Sequence, residues 1–278
     1  MNSLTWWCPA KVNLYLKVVG RRPDGYHELV TVMQPLSLAD ELNLTVVGES
    51  LALECNHPDL PWDEGNLALR AALAFQESAS QKFGLRIRLT KNIPLAAGLG
   101  GGSSDAAGVL KGLNRLRGQP LDESRLHYLA RQLGADVPFF LMAGPALGRG
   151  IGDVLTPVTL PPCWLVLVNP GFAVSTAWVY SQVQPPYQPP DPDFFTRLSR
   201  EPPSSWLHND LETVTLQRYP VLADLKLALL QEGAQGALMS GSGPTVFGIF
   251  ADEGTARQAG ARLQATTGHW AAVTQGLV

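Results

Sequence analysis

A glycine-rich loop in the middle of the chain has the composition of a phosphate-binding segment. It covers residues 94–104 and holds four glycines in the five positions 98–102. Glycine lets the backbone approach a ligand with no side chain in the way. Ser103 and Ser104 suit the start of a helix, and the residues over 106–116 are apolar at helical spacing. Because a helix N-terminus attracts anions, the loop predicts a bound phosphate chain; a glycine turn without a ligand is the alternative.

Two familiar phosphate-binding loops do not fit this stretch. A Walker A loop ends in Gly-Lys-Ser/Thr, whereas Gly102 is followed here by Ser103 and Ser104. A dinucleotide-binding fingerprint needs glycine at its first, third and sixth positions, and counting from Gly98 the sixth position is Ser103. The loop therefore indicates a different phosphate-binding family.

Periodicity along the chain predicts a mixture of strands and helices. Residues 10–18 alternate between apolar positions and the polar Lys11, Asn13, Tyr15 and Lys17, which is the period of a half-buried strand. Further strands are expected at 42–47, 85–89, 164–168 and 245–250, and further helices at 66–83 ending at Gly84, 126–133 ending at Gly134, and 221–231. The proline-rich segment 185–203 predicts neither a regular helix nor a central strand. The fold class expected from this mixture is α+β with two lobes.

Composition excludes several classes of protein. The 278 residues carry a net charge of −3 with 16% charged residues, so no basic excess is available for a nucleic-acid backbone. No apolar run reaches the ~20 residues that cross a bilayer, and the start does not resemble a signal peptide. Cys8, Cys55 and Cys163 have no metal-ligand spacing and are expected to be free thiols. We expect a cytoplasmic protein with neither a nucleic-acid nor a membrane partner.

Three blocks of sequence together resemble the GHMP kinases. They are Pro-Ala-Lys-Val-Asn-Leu at 9–14, the loop at 94–104, and Ser-Gly-Ser-Gly-Pro-Thr at 240–245. The resemblance spans nearly the whole chain and is weakest across the proline-rich segment. It implies a two-lobed GHMP kinase fold with ATP and substrate sites in the cleft between the lobes. The expected domains are an N-terminal one at 1–150, with the ATP loop, and a C-terminal one at 151–278.

Within the family, the resemblance points to the branch whose alcohol substrate carries a cytidine diphosphate. The resemblance to this branch rests on three segments, Arg-Arg-Pro-Asp-Gly-Tyr-His-Glu-Leu at 21–29, the long Gly-Leu-Gly-Gly-Gly-Ser-Ser-Asp form of the loop at 98–105, and Gly-Ala-Asp-Val-Pro-Phe-Phe at 134–140. It implies ATP-dependent phosphorylation of the 2-hydroxyl of 4-diphosphocytidyl-2-C-methyl-D-erythritol in non-mevalonate isoprenoid biosynthesis.

The resemblance also implies how the nucleotide is bound. The residues that would bind ATP are Pro94, Leu95, Ala96, Ala97, Gly98, Leu99, Gly100, Gly101, Gly102, Ser103 and Ser104, with Asn66 near the adenine. Mg²⁺ is expected to accompany ATP; Ser103 or Ser104 is a candidate ligand, and the sequence does not identify the others. Ala96 and Ala97 stand where relatives often have glycine.

Asp136 and Lys11 are the catalytic residues that the resemblance implies. Asp136 is the candidate base for the hydroxyl proton, and Lys11 is its expected partner on the polar face of the first strand, which also carries Asn13. Without the resemblance, a capping aspartate and a solvated lysine would be the favoured interpretations.

Substrate recognition is expected at the first turn and in the second half of the chain. The residues assigned to it are Asn13, Tyr26, His27, Tyr180, Gly241, Ser242 and Gly243. His27 can offer both a donor and an acceptor to a pyrimidine edge, and Tyr180 is expected to stack on the cytosine. Ordinary packing of the aromatic residues, and a tight turn at 241–243, are the alternatives.

Two other functions remain open at this point. One is another GHMP kinase, of mevalonate or homoserine type, although Tyr26 and His27 suit a substrate with a base. The other is a nucleotide-binding protein without catalysis, against which Lys11 and Asp136 argue. A monomer or a weak homodimer is expected.

Overall fold

The structure is a computed structural model that describes residues 2–60, 63 and 65–278, and only the backbone of Ser199. The chain divides into two compact units. The first comprises the chain up to Ala10 together with Leu38–Ile93 and Gly100–Ala143, and the second comprises Lys11–Ser37, Pro94–Leu99 and Gly144–Val278. Two long strands, β1 (Ser3–Arg21) and β2 (His27–Val46), run through both units. The expected domains at 1–150 and 151–278 stay a prediction.

In the described part of the first unit, four helices pack with a small sheet. Strand β4 (Leu85–Thr90) pairs antiparallel with residues 41–46 of β2 and parallel with β3 (Leu51–Cys55). The helices are α1 (Leu67–Ser78), α2 (Gly101–Leu116), α3 (Glu123–Leu133) and α4 (Val137–Leu141). Alternate residues of β4 are buried, and α1 buries a stripe of alanines with Phe75. Both patterns are those of elements with one apolar face.

The second unit is built on an antiparallel sheet with the strand order β11-β7-β10-β9. These strands are β7 (Trp164–Asn169), β9 (Gly236–Met239), β10 (Val246–Phe250) and β11 (Trp270–Gln275). Helix α8 (Val221–Gln231) packs on β9 and β10, and α9 (Glu253–Thr267) packs on β7 and β11. This cover explains why every residue of β10 is buried.

A hairpin and a short strand of the second unit flank β1 and β2, and short helices connect the remaining elements. The hairpin of β5 (Ala146–Arg149) and β6 (Val154–Pro157) pairs through β5 with residues 31–33 of β2. The two-residue strand β8 (His208–Asn209) lies parallel to β1 at Tyr15 and Leu16. The connecting helices are α5 (Thr176–Gln182), α6 (Phe194–Arg200) and α7 (Glu212–Arg218), with a 3₁₀ turn at Pro203–Ser205.

Most predicted elements are confirmed, with three corrections. The first helix ends at Ser78 rather than near Gly84, because Ser80 takes a left-handed φ of 51° and residues 79–82 bring no apolar residue to the core. The proline-rich segment does contain a helix, α6, because residues 194–200 lack proline. The alternation along β1 predicted a half-buried strand, but Lys11 and Asn13 on its polar face are buried as well.

Among the described residues, no helix combines the length and the apolar composition that a membrane crossing requires.

Candidate active site

Lys11 and Asn13 form a buried polar pair on β1. Each is only 4% exposed, and the Lys11 ammonium donates to Asn13 Oδ1 at 2.7 Å. The Asn13 amide donates to the Thr31 hydroxyl at 2.9 Å, and that hydroxyl donates to the Tyr15 carbonyl at 2.7 Å. Burying a lysine ammonium costs free energy unless the ammonium is hydrogen-bonded, and Asn13 supplies such a bond. The chain of hydrogen bonds through Asn13 and Thr31 also fixes the position of the ammonium.

Both glycine loops predicted from the sequence meet this pair within the second unit. The Ser240 hydroxyl donates to the Gly98 carbonyl at 2.9 Å and accepts from the Asn13 backbone N–H at 3.3 Å. The Lys11 backbone N–H donates to the Leu99 carbonyl at 2.9 Å. Ser240 is therefore the link between β1, the loop at 94–99 and the loop at 240–243.

Two glycines are required here, one by a close approach and one by its backbone conformation. A Cβ on Gly98 would lie 2.3 Å from the Ser240 carbonyl oxygen, a separation that real structures do not show. A Cβ on Gly241 would make only ordinary contacts, 3.4 Å from Asn13 Oδ1 and 3.6 Å from Lys11 Nζ, but the backbone φ there is 57°. Glycine adopts this left-handed conformation without the steric cost that other residues bear.

The first loop continues directly into helix α2. Gly100 is the N-cap, with a left-handed φ of 71°, and the helix begins at Gly101 rather than at the two serines. Ser103 therefore lies in the first turn, where backbone N–H groups have no helical partner. The Ser104 N–H makes the first helical hydrogen bond, to the Gly100 carbonyl at 2.9 Å. The Ser104 hydroxyl is buried and has no hydrogen-bond partner among the described residues. Such a first turn can bind an anion through its N–H groups.

A buried ion cluster in the first unit fixes the start of α2. Lys91 lies three residues before Pro94 and bonds to the carboxylates of Asp40 and, at 2.6 Å, of Asp105 on α2. The second oxygen of Asp40 accepts from the N–H groups of Asn92 and Ile93, at 2.6 and 2.9 Å. The cluster thereby joins β2, the segment after β4 and the first turns of α2.

The charges in this cluster are strongly perturbed. Burial and the nearby charge of Asp40 outweigh the attraction of Lys91 and raise the pKa of Asp105 to about 7. Burial opposes the charge on Lys91, but the two carboxylates prevail and raise its pKa. Burial with a like charge alongside is the usual origin of a raised carboxyl pKa.

Asn66 and Asp136 both lie at helix N-termini in the first unit. Asn66 is the N-cap of α1 and accepts from the Ala68 N–H at 2.9 Å. Asp136 is the half-buried residue before α4, a short helix that the sequence pattern did not indicate, with Pro138 in its first turn. The adenine contact of Asn66 and the catalytic role of Asp136 stay predictions.

An aromatic group lies near the first turn. The rings of His27 and Tyr180 stack with centroids 5.3 Å apart, and Tyr187 meets His27 edge-on at 6.1 Å. Burial, with a smaller effect from the charge of Arg21, lowers the pKa of His27 and keeps the ring neutral at pH 7. Its buried Nε2 has no partner among the described residues. Tyr26, in contrast, is 62% exposed.

Ser242 and Gly243 complete the second loop. The Ser242 hydroxyl lies 2.9 Å from the Thr176 hydroxyl, and the Ser242 carbonyl accepts from Thr215 at 3.4 Å. A Cβ on Gly243 would lie 2.7 Å from the Met239 sulfur. This loop is therefore packed on both sides.

Sequence reasoning missed several of these polar and aromatic residues. They are Thr31 and Ser240 in the hydrogen bonds around Asn13, Tyr187 beside His27, and Lys91 and Asp105 in the ion cluster of the first unit. Ser240 and Asp105 had a signal, because they stand within the quoted blocks, while the others are recognised only through their contacts in the fold.

Two glycine loops that converge on a buried lysine, one of them leading into a helix N-terminus, define a class of small-molecule kinases. The family model for the GHMP kinases N terminal domain matches residues 66–144, and that for the GHMP kinases C terminal domain matches residues 197–268. The chain belongs to the GHMP kinase family. A homoserine kinase structure from Cytophaga hutchinsonii shares this fold with a TM-score of 0.77 at 22% identity, over 100% of this chain and 95% of that one.

The similarity is higher to one branch of that family. A relative from Syntrophotalea carbinolica, 4-diphosphocytidyl-2-C-methyl-D-erythritol kinase, is 49% identical over 94% of each chain. A relative of the same name from Geobacter sp. strain M21 is 46% identical over 99% of each chain. A crystal structure of 4-(cytidine 5'-diphospho)-2C-methyl-D-erythritol kinase superimposes with a TM-score of 0.85 at 43% identity, over 98% of this chain and 99% of that one.

Proposed function

We propose that this chain is an ATP-dependent kinase that phosphorylates the 2-hydroxyl of 4-diphosphocytidyl-2-C-methyl-D-erythritol, in non-mevalonate isoprenoid biosynthesis in the cytoplasm. The products are the 2-phosphate and ADP. The observation that carries the proposal is the convergence of Lys11, Asn13 and both glycine loops through Ser240. The 46–49% identity to relatives of that name, over nearly full length, supports the choice of substrate.

Binding of the triphosphate is assigned to the loop at 94–104. The N–H groups of the first turn of α2 stabilise the phosphate charge, and Asn66 lies at the N-terminus of α1. The buried Ser104 hydroxyl oxygen, unpartnered among the described residues, is a donor of the kind that Mg²⁺ accepts. Ser104 would hold Mg²⁺, which neutralises phosphate charge when it is bound.

Transfer of the phosphoryl group then needs one proton to leave the acceptor. Asp136 takes the proton of the 2-hydroxyl, and the oxygen forms a bond to the γ-phosphorus as the bond to the β–γ bridging oxygen breaks. The ammonium of Lys11 stabilises the negative charge on the attacking oxygen. Asn13 fixes that ammonium through its Oδ1, so little rearrangement is required during the reaction.

Recognition of the cytidine is assigned to the aromatic group. The neutral His27 has a free ring nitrogen among the described residues, Tyr180 offers a ring face, and the exposed Tyr26 is available as a second face. Stacking of a base on an aromatic ring contributes about 1–3 kcal/mol. Mevalonate and homoserine have no base and cannot use these residues.

The function is tested by comparing acceptors. ADP release is measured with ATP and Mg²⁺ and with the cytidyl-diphosphate methylerythritol, mevalonate or homoserine as acceptor. We expect kcat/KM at least 10³-fold higher for the first acceptor than for the other two, because three aromatic side chains are used only there. Comparable turnover of mevalonate or homoserine would reject the assignment of the substrate.

Asp136→Asn separates catalysis from nucleotide binding. We expect the variant to bind ATP with its affinity unchanged within threefold and to lose turnover at least 10²-fold, since general base catalysis contributes about 10²–10⁴-fold. Asp59→Asn is the matched control, because Asp59 is an exposed carboxylate with 85% side-chain exposure. Turnover of Asp136→Asn within threefold of the control would remove Asp136 as the base.

A further inference from the structure

A buried asparagine outside the predicted site holds the second glycine loop on both sides. Asn209 lies in β8 beside β1 and is 4% exposed. Its amide nitrogen donates to the Met239 carbonyl and to the Gly241 carbonyl, each at 2.8 Å. Its oxygen accepts from the Leu211 N–H at 3.0 Å. Both amide protons and the oxygen are thus used.

The two carbonyls that Asn209 binds flank the residue that links the site. Ser240 stands between Met239 and Gly241, and its hydroxyl joins the Asn13 N–H to the Gly98 carbonyl. The direction of the Ser240 side chain depends on the backbone on both sides of it. Asn209 fixes that backbone and is itself fixed in β8.

We propose that Asn209 is a positioning residue of the kinase reaction, which sets the Ser240–Gly241 backbone against Lys11 and Asn13. It acts through the loop and touches no reacting atom. The proposal rests on the proposed function only in assigning the loop to phosphoryl transfer. Asn209 is not among the residues assigned above to catalysis or binding.

Two acidic residues close to Asn209 in sequence contact other backbone groups. Glu212 binds the Met239 N–H at 2.7 Å and pairs with Lys226, so it anchors the end of β9 ahead of Ser240. Asp210 binds the Val18 N–H at 2.8 Å and stabilises β1. Among these side chains only Asn209 reaches the carbonyl of Gly241, beyond Ser240.

The chemistry of this contact explains why an amide is needed. A carboxylate of the same shape has no proton for either carbonyl, and its charge would face two carbonyl oxygens. Asn209→Asp therefore converts two attractive contacts into two repulsive ones with almost no change in volume. The expected result is a displaced loop in a chain that still folds.

The test combines kinetics with hydrogen exchange on the full chain. For Asn209→Asp we expect kcat to fall at least tenfold while KM for ATP changes less than threefold, because the loop at 94–104 keeps its own anchors. Amide exchange at 240–243 should accelerate at least tenfold, with exchange in β7 and β10 unchanged. The matched control is Asn114→Asp, since Asn114 is a buried asparagine that binds both backbone groups of Leu121 in the first unit.

The exchange measurement needs no substrate, so failure of the proposed function does not affect it. Unchanged exchange at 240–243 in Asn209→Asp, or a kcat within twofold of wild type, would overturn the proposal. An equal loss of kcat in Asn114→Asp would also overturn it, because the effect would then be general destabilisation. If Asn209→Asp does not fold, Asn209→Ser, which is uncharged and keeps one donor, takes its place under the same criteria.

Discussion

Replacing Gly98 with alanine puts one methyl group between the two glycine loops. The new Cβ would lie 2.3 Å from the Ser240 carbonyl oxygen and 3.0 Å from the Gly243 carbonyl oxygen. Both are backbone atoms, so no side-chain rotation relieves the overlap. An ordinary contact needs about 3.4 Å, and the loops must therefore separate by about 1 Å.

The expected loss of stability in Gly98→Ala has two parts. The left-handed φ of 75° costs an alanine about 1–2 kcal/mol, and an extra methyl group in a packed region costs about 1–3 kcal/mol. We expect the free energy of unfolding to fall by about 2–5 kcal/mol. Because a misplacement of about 1 Å at a reacting centre can cost about 10²-fold, kcat should fall by about that factor.

Gly118→Ala supplies the control for backbone strain. Gly118 has nearly the same φ, 79°, but nothing lies within 4 Å of a Cβ placed on it. We expect it to lose only about 1–2 kcal/mol of stability, with kcat unchanged. Urea unfolding and the rate of ADP release are measured for both variants below their melting temperatures. If Gly98→Ala matches Gly118→Ala in both measurements, the close approach of the loops has no role in catalysis.

Three further predictions concern charge and substrate recognition. Lys91→Met leaves the carboxylates of Asp40 and Asp105 facing each other without a cation, and calorimetry should show a loss of about 3–5 kcal/mol. Burial disfavours the charge on Asp210, but hydrogen bonds from His208 and the Val18 N–H outweigh this effect and lower the pKa of Asp210. Asp210→Asn should therefore cost about 1–2 kcal/mol of stability at pH 7, measured by urea unfolding. This difference should disappear as the pH falls below the ordinary pKa of 3.8, because the wild-type carboxylate is then protonated too. Tyr180→Leu should raise KM for the cytidyl substrate about 5–100-fold in steady-state kinetics and leave KM for ATP unchanged, because a stacking contact is lost.

Two of these predictions have a control on the surface. Arg88→Met breaks an exposed pair with Glu54 and should cost no more than about 1 kcal/mol. Tyr128→Leu, at a residue that is 52% exposed, should leave both KM values unchanged. The argument for the buried ion cluster would be contradicted if Lys91→Met cost no more than Arg88→Met. A loss of stability in Asp210→Asn that does not depend on pH would contradict the argument for Asp210. An unchanged KM of Tyr180→Leu for the cytidyl substrate would contradict the stacking of Tyr180 on the base.

The sequence predicted the elements that depend on local pattern. Helix α8 was placed at its observed bounds, and β4 and β7 within one residue, because their apolar residues follow one period and clear breakers end them. Lys11 and both loops, which lie in the three blocks, meet through Ser240. Their roles in binding and catalysis stay predictions.

What the sequence could not supply are contacts made across long separations. Asn13 and Ser240 are 227 positions apart, and nothing near either residue indicates their hydrogen bond. The burial of Lys11 depends on neighbouring strands and loops, which the alternation along β1 does not indicate. Asn209 sits in a strand of two residues, too short for any period to be seen.

The identity of the product shows most directly whether the chain phosphorylates the 2-hydroxyl of the cytidyl substrate. The full chain is incubated with ATP, Mg²⁺ and 4-diphosphocytidyl-2-C-methyl-D-erythritol, and the mixture is followed by phosphorus NMR. We expect a new phosphomonoester signal, coupled to the methylerythritol at the 2-position, that grows in step with ADP. No phosphomonoester in a sample whose ATP is bound, or a phosphoryl group on another hydroxyl, would contradict it.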